Sequence, residues 1–170
     1  MTKIFVKKIG KKNIPYILYE KKKLKCRIGK NGIGKKAREG DFITPKGIFK
    51  LDKIFFRADR IKNLKSGLPI IKIEKNYVWC VDPKHMKYNK LAKKPANYFY
   101  ENLHRIDHLY DIIITTNYNL NPTRKHLGSA IFIHCNEQEK NYTAGCIAMR
   151  KNHLVEMLKF LSPTSLLIIS

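Results

Sequence analysis

The sequence predicts a mainly β domain, and three observations carry that prediction. Short runs of alternating or β-branched apolar residues recur along the whole chain. Only one segment, near the C terminus, repeats its apolar residues at helical spacing. The 170 residues, 44% of them hydrophobic, suit one domain over residues 1–170 with a real core.

In chain order, residues 3–8, 14–20 and 22–28 read as strands, with Gly10 and Asn13 where turns fall. Residues 29–36, GKNGIGKK, form a glycine-rich loop. It lacks the following amphipathic helix that a phosphate cradle needs. Thr44-Pro45-Lys46-Gly47 is a tight-turn signal that feeds a strand over 48–55. Residues 68–73 and 77–81 read as strands joined at Lys75-Asn76, and Asp82-Pro83 ends the second. Residues 83–99, with two prolines and five lysines, read as a long loop, and 100–109 as a short helix. The β-branched run 111–116 predicts a buried strand, 117–122 a turn-rich connector, and 130–134 another strand. A polar loop then leads to Thr143-Ala144-Gly145-Cys146. Leu154, Met157, Leu158 and Leu161 fit a helix, with Asn152 as its N-cap and Pro163 just past its end. Residues 166–169 make a last strand.

Charge and cysteine usage exclude several classes. Thirty-five Lys and Arg against 13 Asp and Glu leave +22. That balance favours anionic partners. The lysines are spread over the chain rather than gathered in one arm, so a solvated lysine surface comes first, an acidic polymer second and nucleic acid last. Four cysteines are too few for a disulfide scaffold, and none falls in a CxxC pair. A ligand set of Cys80, His85, His134 and Cys146 matches no common zinc spacing. There is no GxxxxGK[ST] loop. Residues 1–20 lack the apolar run of about 7–15 residues that a secretory signal needs, and no stretch reads as a membrane span. Taken alone, this points to a cytoplasmic chain with reduced thiols.

The informative pair is His134 and Cys146. A cysteine nucleophile needs a base to become thiolate and backbone N–H groups to hold an oxyanion. Cys146 follows Gly145 in a turn, and Gly145 leaves room for close approach. His134 ends an apolar strand from which it can serve as base. Cys135 is the rival nucleophile, but alternation along a strand sends His134 and Cys135 to opposite faces. Cys135 shares its face with Ile131 and Ile133 and reads as core, as do Cys26 and Cys80.

These residues match a family pattern. His134, eleven residues, then Cys146 in TAGCIAM resembles the catalytic signature of the L,D-transpeptidases, the YkuD-type domain. The stretch GDFITPKGIFKL resembles a second motif of that family, in the right order. The resemblance covers roughly residues 3–170 and implies a curved β-sheet or sandwich with a few flanking helices. It also implies acyl transfer on peptidoglycan stem peptides, with no metal or cofactor. Cys146 is then the nucleophile and His134 the base. Gly145 and Cys146 supply oxyanion N–H groups, and Thr143 shapes the turn or bonds substrate. Water in place of an acceptor amine makes the same pair a carboxypeptidase, and a dead site leaves a basic wall- or nucleic-acid-binding module. Three features depart from the pattern: Ala144 replaces a frequent His, Ala148 replaces a frequent Asn or Arg, and the spacer is short. Arg150 and Arg124 are the candidates to hold a substrate carboxylate in place of the residue missing at 148. VWCVDP, KYN, DHLYDIIITTNYN and GSAIFIH are similar to the subgroup that makes 1,3 rather than 3,3 cross-links. In that subgroup His108, Tyr110 and Asp111 line the site; the plainer reading of His108 is a partly exposed strand entry. Peptidoglycan lies outside the cytoplasmic membrane, so the expected place of action is the periplasm or wall, in tension with the absent leader.

Overall fold

The structure is a computed structural model, and it describes residues 1–136 and 141–170. It is mostly strand, with a curved, nearly closed sheet and, among the described residues, one α-helix. The strands are β1 (Lys3–Ile9), β2 (Ile14–Tyr19), β3 (Lys22–Lys25), β4 (Ile33–Gly34), β5 (Thr44–Pro45), β6 (Gly47–Phe56) and β7 (Ile70–Lys72). They continue with β8 (Tyr77–Cys80), β9 (Leu91–Lys93), β10 (Tyr100–Asn102), β11 (Ile112–Thr116), β12 (Phe132–Cys135) and β13 (Ile147–Met149). Helix α1 (Lys151–Leu158) and β14 (Leu166–Ile169) complete the chain.

The large sheet runs β13-β12-β11-β6-β14-β1-β2-β3, with β7 on the side of β6. Its two ends meet. Beyond β3, Arg27 exchanges backbone hydrogen bonds with Ala148 of β13 at 2.8 and 2.9 Å. Thr143 N–H donates to Ile28 C=O at 2.8 Å, and Lys30 N–H to Thr143 C=O at 3.1 Å. This seam closes the sheet beside Cys146. A second sheet, β10-β8-β9, stands over the other face of the β11–β12 region.

Alternation along β11 and β12 separates two apolar clusters. Ile112, Ile114, Ile133 and Cys135 join the main core with Ile4, Val6 and Leu167, and α1 covers it with Leu154, Met157 and Leu158. Ile113 and Phe132 face the other way, toward Trp79, Leu103 and Tyr110. Cys135 is thus fully buried core, as its strand position predicts.

Three element predictions are corrected. Residues 100–109 are not a helix: Tyr100–Asn102 pairs with β8, with Tyr100 opposite Cys80, and the rest is held in an irregular course by its own arginine and aspartate pairs. The loop predicted over 83–99 contains β9, which uses the other edge of β8. Asn152 is not the N-cap, because the chain enters α1 directly from β13; Arg150 occupies that position without a side-chain cap bond. Residues 137–140 of the polar loop predicted before Thr143 lie outside the described residues. Among the described residues, no helix is long and apolar enough to cross a membrane.

Candidate active site

His134 sits near the end of β12, where it is level with Ile113 of β11 and Ala148 of β13. Strand alternation turns its ring away from the main core and against Tyr110, edge to face at 5.3 Å between centroids. Tyr110 and Trp79 both pack edge-on to Phe132, at 6.4 and 5.0 Å. His134 Nδ1 lies 2.7 Å from the Cys135 carbonyl. A carbonyl only accepts, so the neutral ring carries its proton on Nδ1 and its lone pair on Nε2. Burial lowers the imidazole pKa to about 4, against smaller opposing help from the Cys135 carbonyl. The ring is neutral at pH 7.

Cys146 begins the approach to β13. Its thiol donates to the Ala130 carbonyl at 2.9 Å and receives the Phe132 N–H at 3.4 Å. Burial pushes its pKa up to about 12, and the carboxylate of Glu101 adds to this, while the Phe132 N–H and Lys36 act the other way. The resting pair is therefore thiol and neutral imidazole, not thiolate and imidazolium.

The turn before Cys146 is clamped from both sides. Thr143 Oγ1 accepts the Gly145 N–H at 3.1 Å and donates to the Cys146 carbonyl at 2.6 Å. Thr44 Oγ1 accepts the Gly29 N–H and donates to the Gly145 carbonyl, both at 2.8 Å. Thus the Thr-Pro motif, distant in sequence, touches the cysteine turn directly. Gly145 has φ +146°, and a Cβ there would stand 2.9 Å from the Ile43 carbonyl oxygen.

Beneath the thiol, Ala130 adopts φ 52°, unusual for alanine. Asn89 holds it there. Asn89 Oδ1 accepts the Ala130 N–H and the Trp79 indole N–H, each at 3.0 Å, and its Nδ2 donates to the carbonyls of Tyr118 and Asn119. This buried amide is fully satisfied and sets where the Ala130 carbonyl points.

Cys146, His134, Gly145, Thr143 and Tyr110 together line a cavity of about 330 Å³. His108, Asp111, Arg124 and Arg150 are not among its lining residues. Asp111 is instead a fully buried hub, receiving Arg60 at 2.8 Å, His108 Nδ1 at 2.9 Å and Lys151 at 3.1 Å. Burial pushes its carboxyl up, but these three partners together hold it below the usual range. Sequence reasoning missed other lining residues: Lys36, Glu39, Glu101, Arg105 and Ser129. Lys36 lies at the end of the glycine-rich loop noted in the sequence, and its ammonium is buried against Asp41 at 2.5 Å. No comparable sequence signal marked Glu101 or Arg105, which reach the cavity only through the pairing of β10 with β8.

The model of the YkuD L,D-transpeptidase catalytic domain matches residues 9–169. The chain belongs to this family. The family is one of L,D-transpeptidase-type enzymes. No curated protein sequence matches the chain. Among solved structures, Bd1075 of Bdellovibrio bacteriovorus is 17% identical with a TM-score of 0.50, covering 99% of this chain and 47% of that one. A point mutant of the helical cell shape determining protein Pgp2 from Campylobacter jejuni is 17% identical, TM-score 0.50, covering 99% and 46%. An L,D-transpeptidase from Mycobacterium smegmatis is 10% identical, TM-score 0.45, covering 99% and 59%. At such identities the likeness concerns the fold. This YkuD chain spans about half the length of the Bdellovibrio and Campylobacter structures.

Proposed function

We propose that the protein is a cysteine acyl-transferase acting on peptidoglycan stem peptides, with Cys146 as nucleophile and His134 as base. The observation that carries this reading is the shared cavity: a thiol hydrogen-bonded at Ala130 and a neutral imidazole hydrogen-bonded at the Cys135 carbonyl line the same 330 Å³ space. In the first half-reaction Cys146 Sγ forms a bond to a donor peptide carbonyl carbon, and its proton passes to His134 Nε2. The Cys146 N–H is the first donor for the oxyanion, and Gly145 can contribute only by exchanging its bond to Thr143. His134 then protonates the leaving amine, which departs as the C–N bond breaks and leaves a thioester. In the second half-reaction a side-chain amine of an acceptor stem attacks the thioester, gives its proton to His134 and restores the thiol.

The test is to incubate purified protein with disaccharide-peptide monomers and read the products by mass spectrometry, with Cys146→Ala as control. A Cys146-dependent dimer is the expected result, and fragmentation of its link separates 1,3 from 3,3 connection. Shortened monomers without dimer would assign the same pair to a carboxypeptidase. If Cys146→Ala retained full turnover, the reading would be wrong.

A further inference from the structure

Residues 83–99 hold five lysines and no acid. They cover the outer face of the small sheet. Trp79 points from β8 toward Phe132, so its neighbour Cys80 points the other way. His85 Nδ1 lies 4.0 Å from Cys80 Sγ, and the His85 ring stacks on Tyr98 at 4.1 Å. The covering segment is hydrogen-bonded at several points. Asp82 Oδ1 accepts the Lys84 N–H at 2.9 Å, His85 Nδ1 accepts the Lys87 N–H at 3.1 Å, and the Phe99 carbonyl accepts the Val81 N–H at 3.0 Å. On this frame two large apolar side chains stand in solvent: Met86 is 86% exposed and Phe99 77%. Each is next in sequence to one ring of the His85–Tyr98 stack. Lys84, Lys87 and Lys94 are exposed on the same segment, and Lys94 Nζ lies over the Tyr100 ring at 5.5 Å. Glu74 answers Lys93 alone, at 3.3 Å on the surface.

We infer that this face, with Met86 and Phe99 set among Lys84, Lys87 and Lys94, seats the protein on an anionic lipid surface. Charge and apolarity together select that occupant. A second copy of the chain would set lysines against lysines. An acidic polymer answers the lysines but offers the thioether and the phenyl ring no apolar interior. An anionic bilayer answers both, with headgroups for the ammonium groups and the acyl boundary for Met86 and Phe99. The contact is peripheral and involves a built surface rather than a helix. It goes beyond the acyl-transferase reading and does not rest on it. It does give the cavity a position: Val81, bonded to the Phe99 carbonyl, lines it, so a seated molecule holds the cavity close to the lipid surface.

The experiment is co-sedimentation of the whole chain with phosphatidylcholine vesicles, with and without about 30% phosphatidylglycerol, at low salt. Binding to the anionic vesicles and little binding to the neutral ones is expected. Met86→Ser/Phe99→Ser keeps every charge and should weaken binding about tenfold. Lys84→Gln/Lys87→Gln/Lys94→Gln should weaken it about tenfold or more. Lys11→Gln/Lys12→Gln/Lys21→Gln removes as many exposed lysines from the β1–β2 and β2–β3 turns and should cost less than about threefold. All these side chains are exposed, so the variants should keep the parent's melting temperature. Insertion has its own signal. The one tryptophan, Trp79, is buried, so Phe99→Trp adds an exposed reporter whose emission should shift to the blue on anionic vesicles. Equal losses in the two lysine variants, with the serine variant unchanged and no blue shift, would mean diffuse charge attraction and overturn the seat. So would no vesicle binding by the parent, or a serine variant that lost binding to sacculi or nucleic acid but not to vesicles.

Discussion

A cysteine and a histidine can share a cavity and still be in the wrong protonation state to react. Here Cys146 and His134 are both buried, and burial disfavours the charged form of each. The free enzyme should therefore show slow alkylation of Cys146 by iodoacetamide at pH 7. The rate should climb as pH rises through 9 toward 12, without the level region between pH 5 and 8 that a preformed ion pair gives. A flat, fast rate from pH 5 upward, read by peptide mapping at Cys146, would refute the neutral pair. The same groups shape stability. His134 binds its proton less readily folded than unfolded, so its neutral form favours the fold above about 6.5. That contribution is lost as pH falls toward 4. Asn89 offers a second test at this scale. Asn89→Leu would strand two N–H donors and two carbonyls that the amide now satisfies. A loss of about 2–4 kcal/mol is expected by urea unfolding, since each stranded group costs about 1–3 kcal/mol before relaxation. Any folded fraction should be nearly inactive, because Ala130 would leave its φ of 52° and move the carbonyl that seats the thiol.

At the scale of elements, the reactive turn is held by the seam that closes the sheet. Thr143 is hydrogen-bonded to Ile28 and Lys30, Gly145 to Thr44, and Ala148 to Arg27. Gly145→Ala brings a Cβ to 2.9 Å from the Ile43 carbonyl at a backbone angle that alanine resists. The expected result is a destabilisation of about 1–3 kcal/mol, with turnover on muropeptides falling at least a hundredfold. Normal turnover with a lower melting temperature would mean that the turn can shift without misplacing Cys146. The seam also explains what was legible in advance. Strands β1, β2, β6, β11 and β14 announce themselves by alternation or β-branching, and His134 and Cys146 by their spacing and glycine turn. The closing contact of Arg27 with Ala148 joins segments far apart in the chain, and no local pattern announces which strands will meet. Residues 100–109 misled because their apolar spacing is short-range, while Tyr100–Asn102 is recruited by β8. Glu39, Glu101 and Ser129 lie far apart in sequence, and only the folded sheet brings them to one cavity. Asp111 is the converse case: the subgroup resemblance implied a residue lining the site, but its carboxylate is buried under Arg60, His108 and Lys151.

For the whole molecule, the question is how a net charge of +22 divides between holding the fold and meeting a partner. Several of the 13 acids are spent inside. Asp41 pairs with Lys36, Asp107 with Arg105 and Asp111 with Arg60. Burial would raise the Asp41 carboxyl, but Lys36 and the N–H groups of Ala37, Ile43 and Arg38 bring it down to about 2. Its stabilising effect is complete above about 4 and disappears as pH falls through 2. The lysine excess is left to the surface, where it acts over a Debye length of about 10 Å at 0.1 M salt and about 3 Å at 1 M. An anionic wall polymer should therefore be drawn to the molecule as a whole, independently of the cavity. Sedimentation of Cys146→Ala with purified sacculi should show binding equal to the parent protein at low salt, falling several-fold between 50 and 500 mM NaCl, an expectation from screening at about one Debye length. Glu39→Gln/Glu101→Gln, changed inside the cavity, should leave that binding intact. Binding that ignored salt but vanished in the double variant would reverse the division, and place capture of the polymer in the cavity rather than on the surface.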